Sequence, residues 1–594
     1  MLRSFGSDRR KLLPVAVAAI CALSASDIRA QMAPGSGVRP EALPRPSPVD
    51  QMAPRALPQA SPVKAPTDLP PPGAELSGIS TDIVDVEIAG ATVYPAGTFN
   101  DLTQGLVGKG VSVAKIEEAR QAILKRYRND GYVLSAVDVK RDRAGHLRFA
   151  VTEGRIAAVK LDGDVGPVGV LVKKFLDRLT EQQPVNNAQL ERYLLLAQDI
   201  PGLTVRPVLE PSPDEPGSMI LVAQVKRAAI SGQVQADNRA YDLTGPNEFL
   251  GTIDLNSFTS LGERTEFAYY HTFMNSSNFA QVSSEFFVGS NGLRVKFYGG
   301  RGTVDPTGNL GDANYHTELT LFGASATYPV IRSRAQTLNV YGAFDALEST
   351  VFTGSPQARQ AFDSLRVLRI GEDYILSDLL FGAERPALNA ISVRASQGLR
   401  ILGASTNPVA GSTPRQHERS DFHKINFEVS RTQTLFNLTD VGIPWEGASV
   451  AVMGLLAGQW TDMLLPSAEQ FYLGGARYTR GYYSGQIPAD NALAATVELQ
   501  LNTQFSIPAI RDDADIPTQF YLFYDWGQAW YKQAADNSIR VASAGGGARI
   551  QITSYAELDI EALGRYNLYP NGGQAAGVSA VNGIGLYWRV LGHF

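Results

Sequence analysis

The residues with most chemical content sit in one long inter-strand segment, between Thr461 and Asn491, and in a strand beyond it. The segment carries Thr479-Arg480-Gly481-Tyr482, and the strand carries Phe523-Tyr524-Asp525-Trp526-Gly527. An arginine and an aspartate make an ion pair rather than a reaction. The planar guanidinium fork fits a carboxylate through two parallel hydrogen bonds. Once such a pair is buried, removing one partner costs about 3–5 kcal/mol. In the strand, Tyr521, Phe523, Asp525, Gly527 and Ala529 share one parity; Phe520, Leu522, Tyr524, Trp526 and Trp530 share the other. The second set is uniformly apolar or aromatic, so Asp525 points the opposite way and needs a partner, because an unpaired buried charge is costly. A loop folding inward delivers Arg480. Gly527 would let that loop approach the strand closely, and Gly481 would let it turn sharply.

Bond-making chemistry is not visible. No Gly-x-Ser-x-Gly elbow occurs, and Gly108-Lys109 lacks the upstream glycine and following Ser/Thr of a phosphate loop. The six histidines show no metal-ligand spacing. Gly545-Gly546-Gly547 falls within a strand and reads as close backbone packing. The chain is therefore expected to be no enzyme and to need no cofactor or metal. A net charge of −6 gives no hint of a nucleic-acid partner.

The elements that must position the pair start with an N-terminal export signal over 1–30: Arg3, Arg9, Arg10 and Lys11, then an apolar core from Leu12 to Leu23, then Ala30 for cleavage. The only cysteine, Cys21, lies inside it, which leaves the mature chain without thiol chemistry or disulfides. Residues 31–77 are dense in proline and read as a linker. Over 78–228 one order occurs twice, strand-helix-helix-strand-strand, in units divided at 154/155. The longer helix of the first unit, about Val113 to Asn129, puts Ile116, Ala119, Ile123 and Tyr127 on one face; Asn187 to Gln198 in the second does the same with Leu190, Tyr193, Leu194 and Ala197.

From 229 to 594 the helical period gives way to alternation. In the last strand Ile584, Leu586, Trp588, Val590 and Phe594 share one parity, with Tyr587, Arg589 and His593 on the other. In Leu493 to Phe505, Glu498, Gln500, Asn502 and Gln504 oppose an apolar face, and Lys424, Asn426 and Glu428 oppose Ile425, Phe427 and Val429. No apolar stretch after the signal is long enough for a membrane helix. About sixteen such strands, from one near Ser231 to one near Val581, fit the even count of a closed barrel with a lipid face outside and a polar lumen inside. The expected fold is thus membrane all-β: a 16-stranded antiparallel transmembrane β-barrel behind two small α+β domains. The acids on the inward parities read most simply as a hydrated lumen.

With Arg480-Gly481-Tyr482 and Asp525-x-Gly527 in hand, the chain resembles the outer-membrane polypeptide transporters that include BamA and the two-partner secretion transporters. Its loop matches the family's Val-Arg-Gly-Tyr/Phe motif with Thr479 in place of valine. The two α+β units look like polypeptide-transport-associated (POTRA) domains, and two of them before sixteen strands is the pattern of the FhaC/ShlB haemolysin secretion/activation branch. The resemblance implies an outer-membrane translocator whose periplasmic POTRA domains catch an unfolded, haemagglutinin/haemolysin-like exoprotein. It implies a lock between loop and barrel formed by Arg480, Gly481, Tyr482, Asp525 and Gly527, outer-membrane lipid around the barrel, and recognition of the terminal Phe594 by the barrel-assembly machinery. A BamA- or TamA-like insertase and a passive porin are the alternatives. One departure stands out: the branch carries an N-terminal helix that plugs the pore, and residues 31–75 hold too much proline for a long helix, so a plug there is either absent or not helical.

Overall fold

The computed structural model describes residues 79–215, 217–240, 244–274, 276–307, 311–405, 415, 417–506, 515–532, 538–567 and 584–594. The expected signal, the proline-rich segment and the start near Val581 lie outside them.

The first α+β unit contains β1 (Ser80–Ile83), β2 (Asp85–Ala89), α1 (Asn100–Thr103), β3 (Gly108–Ser112), α2 (Val113–Asn129), β4 (Ala136–Arg141) and β5 (His146–Thr152). Its sheet runs β2-β5-β4, with β2 parallel to β5 and β4 antiparallel. α2 starts where the Ser112 hydroxyl accepts the Ala114 N–H, the ordinary role of serine at a helix start. It buries Ile116, Ala119, Ile123, Leu124 and Tyr127 against Leu147, Phe149 and Val151 of β5. The second unit repeats the plan: β6 (Arg155–Asp162), α3 (Gly169–Leu176), α4 (Asn187–Gln198), β7 (Leu203–Pro211) and β8 (Ser218–Arg227), with sheet order β6-β8-β7. β3 was not anticipated. It pairs with β1, but Gly108 and Gly110 hide the alternation by which a strand is read.

Sixteen strands then close into one antiparallel barrel: β9 (Ile230–Asp237), β10 (Glu248–Asn256), β11 (Arg264–Thr272), β12 (Ser277–Val288), β13 (Leu293–Val304), β14 (His316–Arg332), β15 (Gln336–Thr353), β16 (Ala358–Asp378), β17 (Ala387–Gly398), β18 (His423–Asn437), β19 (Ser449–Trp460), and, after a loop carrying the short strands β20 (Phe471–Leu473) and β21 (Ile487–Ala489), β22 (Asn491–Phe505), β23 (Ile516–Trp530), β24 (Ser538–Thr553), β25 (Ala556–Asn567) and β26 (Ile584–His593). β26 pairs back onto β9 and removes both sheet edges. The alternation falls as expected. Ile584, Leu586, Val590 and Phe594 are exposed on the outer wall while Tyr587 is buried inside, and Phe520, Leu522 and Tyr524 face out while Tyr521, Phe523 and Asp525 face in. β16 begins earlier than the Ser364 expected for it, because Ala358, Arg359 and Gln360 are all exposed and show no alternation.

The second α+β unit is seated on the barrel. Phe287, at the foot of β12, joins its core, with the Phe287 and Phe175 rings 5.4 Å apart edge to face. Arg332 at the foot of β14 donates to both oxygens of Asp199 at 2.8 and 2.7 Å. α4 buries Leu195 and Leu196 beyond the face its period marked, Leu196 against Gly292 before β13. β9 leaves directly from this unit, which places the unit at one mouth of the barrel and the Thr461–Asp490 loop at the opposite one.

Candidate functional site

The loop between β19 and β22 folds into the lumen. β20 and β21 pair antiparallel, Phe471 with Ala489 and Leu473 with Ile487. This hairpin, with Tyr478 and Tyr482, packs on Met453, Leu455 and Ala457 of β19, Ala492 and Ala494 of β22, Ala529 of β23 and Val541 of β24. Small residues on the wall make room for the loop's large ones, giving a hydrophobic core inside the barrel. Tyr482 lies in that core, 2% exposed.

Arg480 stands at the tip, 5% exposed. Its Nε donates to Asp525 Oδ2 and its Nη2 to Asp525 Oδ1, both at 3.0 Å, and its backbone N–H adds a third bond to Oδ2 at 2.9 Å. A second acid completes the cage: Arg480 Nη1 donates to Glu498 Oε2 on β22 at 2.6 Å. Glu498 is held in turn by Arg549 of β24 at 2.7 and 3.2 Å. The Arg480 guanidinium lies 3.5 Å from the centre of the Phe523 ring, in reach of a cation–π attraction. The cluster thus has nearly every donor and acceptor engaged, the condition under which buried charge is tolerable.

The two glycines divide the work differently from expectation. At Gly527 a Cβ would stand 2.7 Å from Thr479 Cγ2 and 3.1 Å from Leu473 Cδ1, so the bare backbone is what admits the loop. Gly481 lies within the turn, which the Tyr482 N–H closes onto the Thr479 carbonyl at 3.0 Å, but it is not left-handed. The left-handed residue is Thr479, at φ 54°, and it places its own N–H-bearing successor over Asp525. Gly481 serves also as a contact: a Cβ there would be 2.8 Å from Ser543 Cβ and 2.9 Å from Arg565 Cγ, and its N–H donates to Ser543 Oγ at 3.1 Å.

Three further anchors escaped sequence reasoning. Arg477 Nη2 donates to both oxygens of Glu428 on β18 at 2.7 and 2.6 Å, and the Tyr478 hydroxyl joins them at 2.5 Å. Glu469, near the loop's start, accepts from Arg369 of β16 at 2.6 and 3.1 Å and lies 2.8 Å from Lys424 Nζ of β18. Asp490, at its end, accepts from Arg415 at 2.7 and 3.0 Å. Glu428 and Lys424 had been placed on an inward face, but a hydrated lumen was the simpler account of them. The signal available was the density of acids and bases on strands flanking a loop rich in arginine and tyrosine.

Comparison with known proteins settles the class. The family model for the haemolysin secretion/activation proteins ShlB/FhaC/HecB matches residues 217–550. The chain belongs to this family. A second model, for the ShlB-type POTRA domain, matches residues 81–154. The family is one of two-partner secretion transporters with POTRA domains, set in the outer membrane with those domains in the periplasm. A search of curated proteins finds no match. Among solved structures, CdiB from Escherichia coli aligns with a TM-score of 0.67 at 17% identity, over 89% of this chain and 93% of that one. CdiB from Acinetobacter baumannii aligns at 0.58 and 14%, over 87% and 90%. BamA from Haemophilus ducreyi lacking POTRA domains 1–3 aligns at 0.50 and 12%, over 87% and 100%. These likenesses extend the shared fold across POTRA-like units and barrel together.

Proposed function

We propose that this chain exports one unfolded exoprotein, haemagglutinin/haemolysin-like in kind, which its POTRA units (78–154 and 155–228) catch in the periplasm and its barrel (229–594) passes to the surface. The observation that carries the reading is the loop held inside the lumen by ion pairs rather than by continuous strand pairing, below which sheets offer outer strands that are unpaired among the described residues. β2 and β4 bound the first sheet, β6 and β7 the second, and an extended peptide adds to such an edge through main-chain hydrogen bonds. In this reading Arg480, Gly481, Tyr482, Asp525 and Gly527 are the lock that cargo must displace. Folding of the cargo outside supplies the drive. The outer wall meets outer-membrane lipid, and Phe594 is the mark read by the barrel-assembly machinery.

The test compares secreted and outer-membrane proteomes of the host with and without this gene. Loss of one large exoprotein with other barrels unchanged is the expected result. General loss of barrel proteins would overturn it in favour of an insertase, and no change in either fraction in favour of a porin.

A further inference from the structure

The ring of strands has one short joint. β26 and β9 share five registered pairs, from Arg589 opposite Asp237 to His593 opposite Gln233, extended at the periplasmic end by reciprocal bonds between Gly232 and Phe594. The next shortest ladders in the barrel have eight. β9 stops at Asp237 while β26 continues upward, so Ile584 to Trp588 have no β9 residue opposite them.

Three consecutive residues fill that gap. Asp237 is the last paired residue, and its Oδ1 accepts the Arg239 N–H at 2.9 Å. Asn238 replaces the missing strand with its side chain: its Nδ2 donates to the Leu586 carbonyl at 3.0 Å and its Oδ1 accepts the Trp588 N–H at 2.9 Å. Arg239 then turns inward to the loop. Its Nη1 donates to the Arg480 carbonyl at 2.9 Å, and its own carbonyl accepts the Ser484 N–H at 3.0 Å. Its guanidinium pairs with Glu561 on β25 and lies 4.2 Å from the centre of the Tyr587 ring on β26. The loop tip, the two strands on one side of the joint and the end of the strand on the other therefore meet at one buried arginine.

We propose that Arg239 is a positioning residue that makes loop docking and closure of the β26–β9 joint a single event: the docked tip holds Asp237–Arg239 in place, Asn238 thereby holds the upper part of β26, and withdrawal of the tip frees both. A tip that merely rests against the wall would need neither the two-way bonding to Arg239 nor the contact of that arginine with both β25 and β26. The coupling concerns the folded barrel itself and stands whether or not the cargo reading above holds.

Hydrogen exchange on the full-length protein in detergent tests it, following one peptide that contains Trp588 and another spanning Arg480 to Ser484. Arg239→Ala and Arg480→Ala are each expected to speed exchange in both peptides by roughly tenfold or more, the scale of a lost hydrogen bond to a charged group. The double variant is expected to exceed the larger single effect by little, because residues in one network are not additive. Arg394→Ala, which breaks the equally buried pair with Asp373 on β16 and β17, should leave both peptides unchanged and so separates coupling from general loosening. Coupling is reciprocal. In a Cys21→Ser background, the pair Val234→Cys with Gly592→Cys, directly opposite across the joint, should on oxidation slow exchange at the loop tip. Additive singles, a β26 peptide indifferent to Arg480→Ala, or a loop tip indifferent to the oxidised joint would each overturn the proposal; the disulfide arm decides even if an arginine variant fails to fold.

Discussion

Replacing Arg480 by alanine asks how firmly the loop is held. The side chain makes two bonds to Asp525 and one to Glu498. Not all of this is lost in the variant. Asp525 keeps the backbone N–H of residue 480 and a long contact at 3.5 Å from the Ser543 hydroxyl, and Glu498 keeps Arg549 and Gln500. The cost therefore falls near the lower end of the range for breaking a buried pair, about 3 kcal/mol. At about 1.4 kcal/mol per tenfold, the docked-to-undocked ratio drops by roughly a hundredfold. Limited trypsin digestion from the outer face of intact cells reads this directly, because Arg477 becomes a cleavable site only when the loop leaves the lumen. Cleavage should quicken by that order, with the folded barrel confirmed by its heat-dependent electrophoretic mobility. Arg480→Lys should behave more like alanine than like arginine, since a point charge cannot grip Asp525 in a fork while reaching Glu498. Wild-type digestion in folded Arg480→Ala would refute the argument that these bonds hold the loop.

Other expectations follow from the same contacts. Gly527→Ala puts a methyl 2.7 Å from Thr479 Cγ2 and should destabilise the docked loop by about 1–3 kcal/mol, seen as faster trypsin cleavage with an intact barrel. Glu469→Gln leaves Lys424 and Arg369 facing each other without the anion between them, and should lower the barrel's thermal midpoint more than substitution of an exposed acid such as Glu372 does. In the first POTRA unit, burial pushes the Glu153 carboxyl up, but bonds from the Thr92 hydroxyl, the Val93 N–H and the Tyr127 hydroxyl outweigh it and hold the group below the ordinary carboxylate range. A depressed folded-state value means stability that is complete above the unfolded value near 4.5 and is lost as pH falls through the folded one. Protection factors in α2, taken against the intrinsic exchange rate at each pH, should therefore fall in acid, and Glu153→Gln should flatten that dependence.

Most of the barrel was legible because lipid imposes a strict rule. Each strand must alternate, and the alternation survives in one dimension, as Ile584 to Phe594 and Leu493 to Phe505 show. Arg480 and Asp525 were legible for a related reason: an inward carboxylate on a strand with an apolar outer face needs a partner. Glu428, Glu469, Lys424 and Arg369 were not, although the inward parity of Lys424 and Glu428 was. Which inward acid meets which base depends on how the loop lies in the lumen, and no period records that. β20 and β21 were invisible because three residues cannot display an alternation, and the left-handed residue at the turn, Thr479, was passed over for Gly481 two places on because composition favours glycine wherever φ is positive.

The hairpin in the lumen is part of the same chain as the wall, joined to it at both ends through β19 and β22. Its return after displacement is therefore a first-order step, set by the length of its tethers and independent of how many copies of the protein the membrane holds. A stopper supplied as a separate molecule would close more slowly as the membrane became dilute in it. Here the interval between release and reclosure is a property of a single molecule, and it should be the same in a membrane holding one barrel as in one holding thousands.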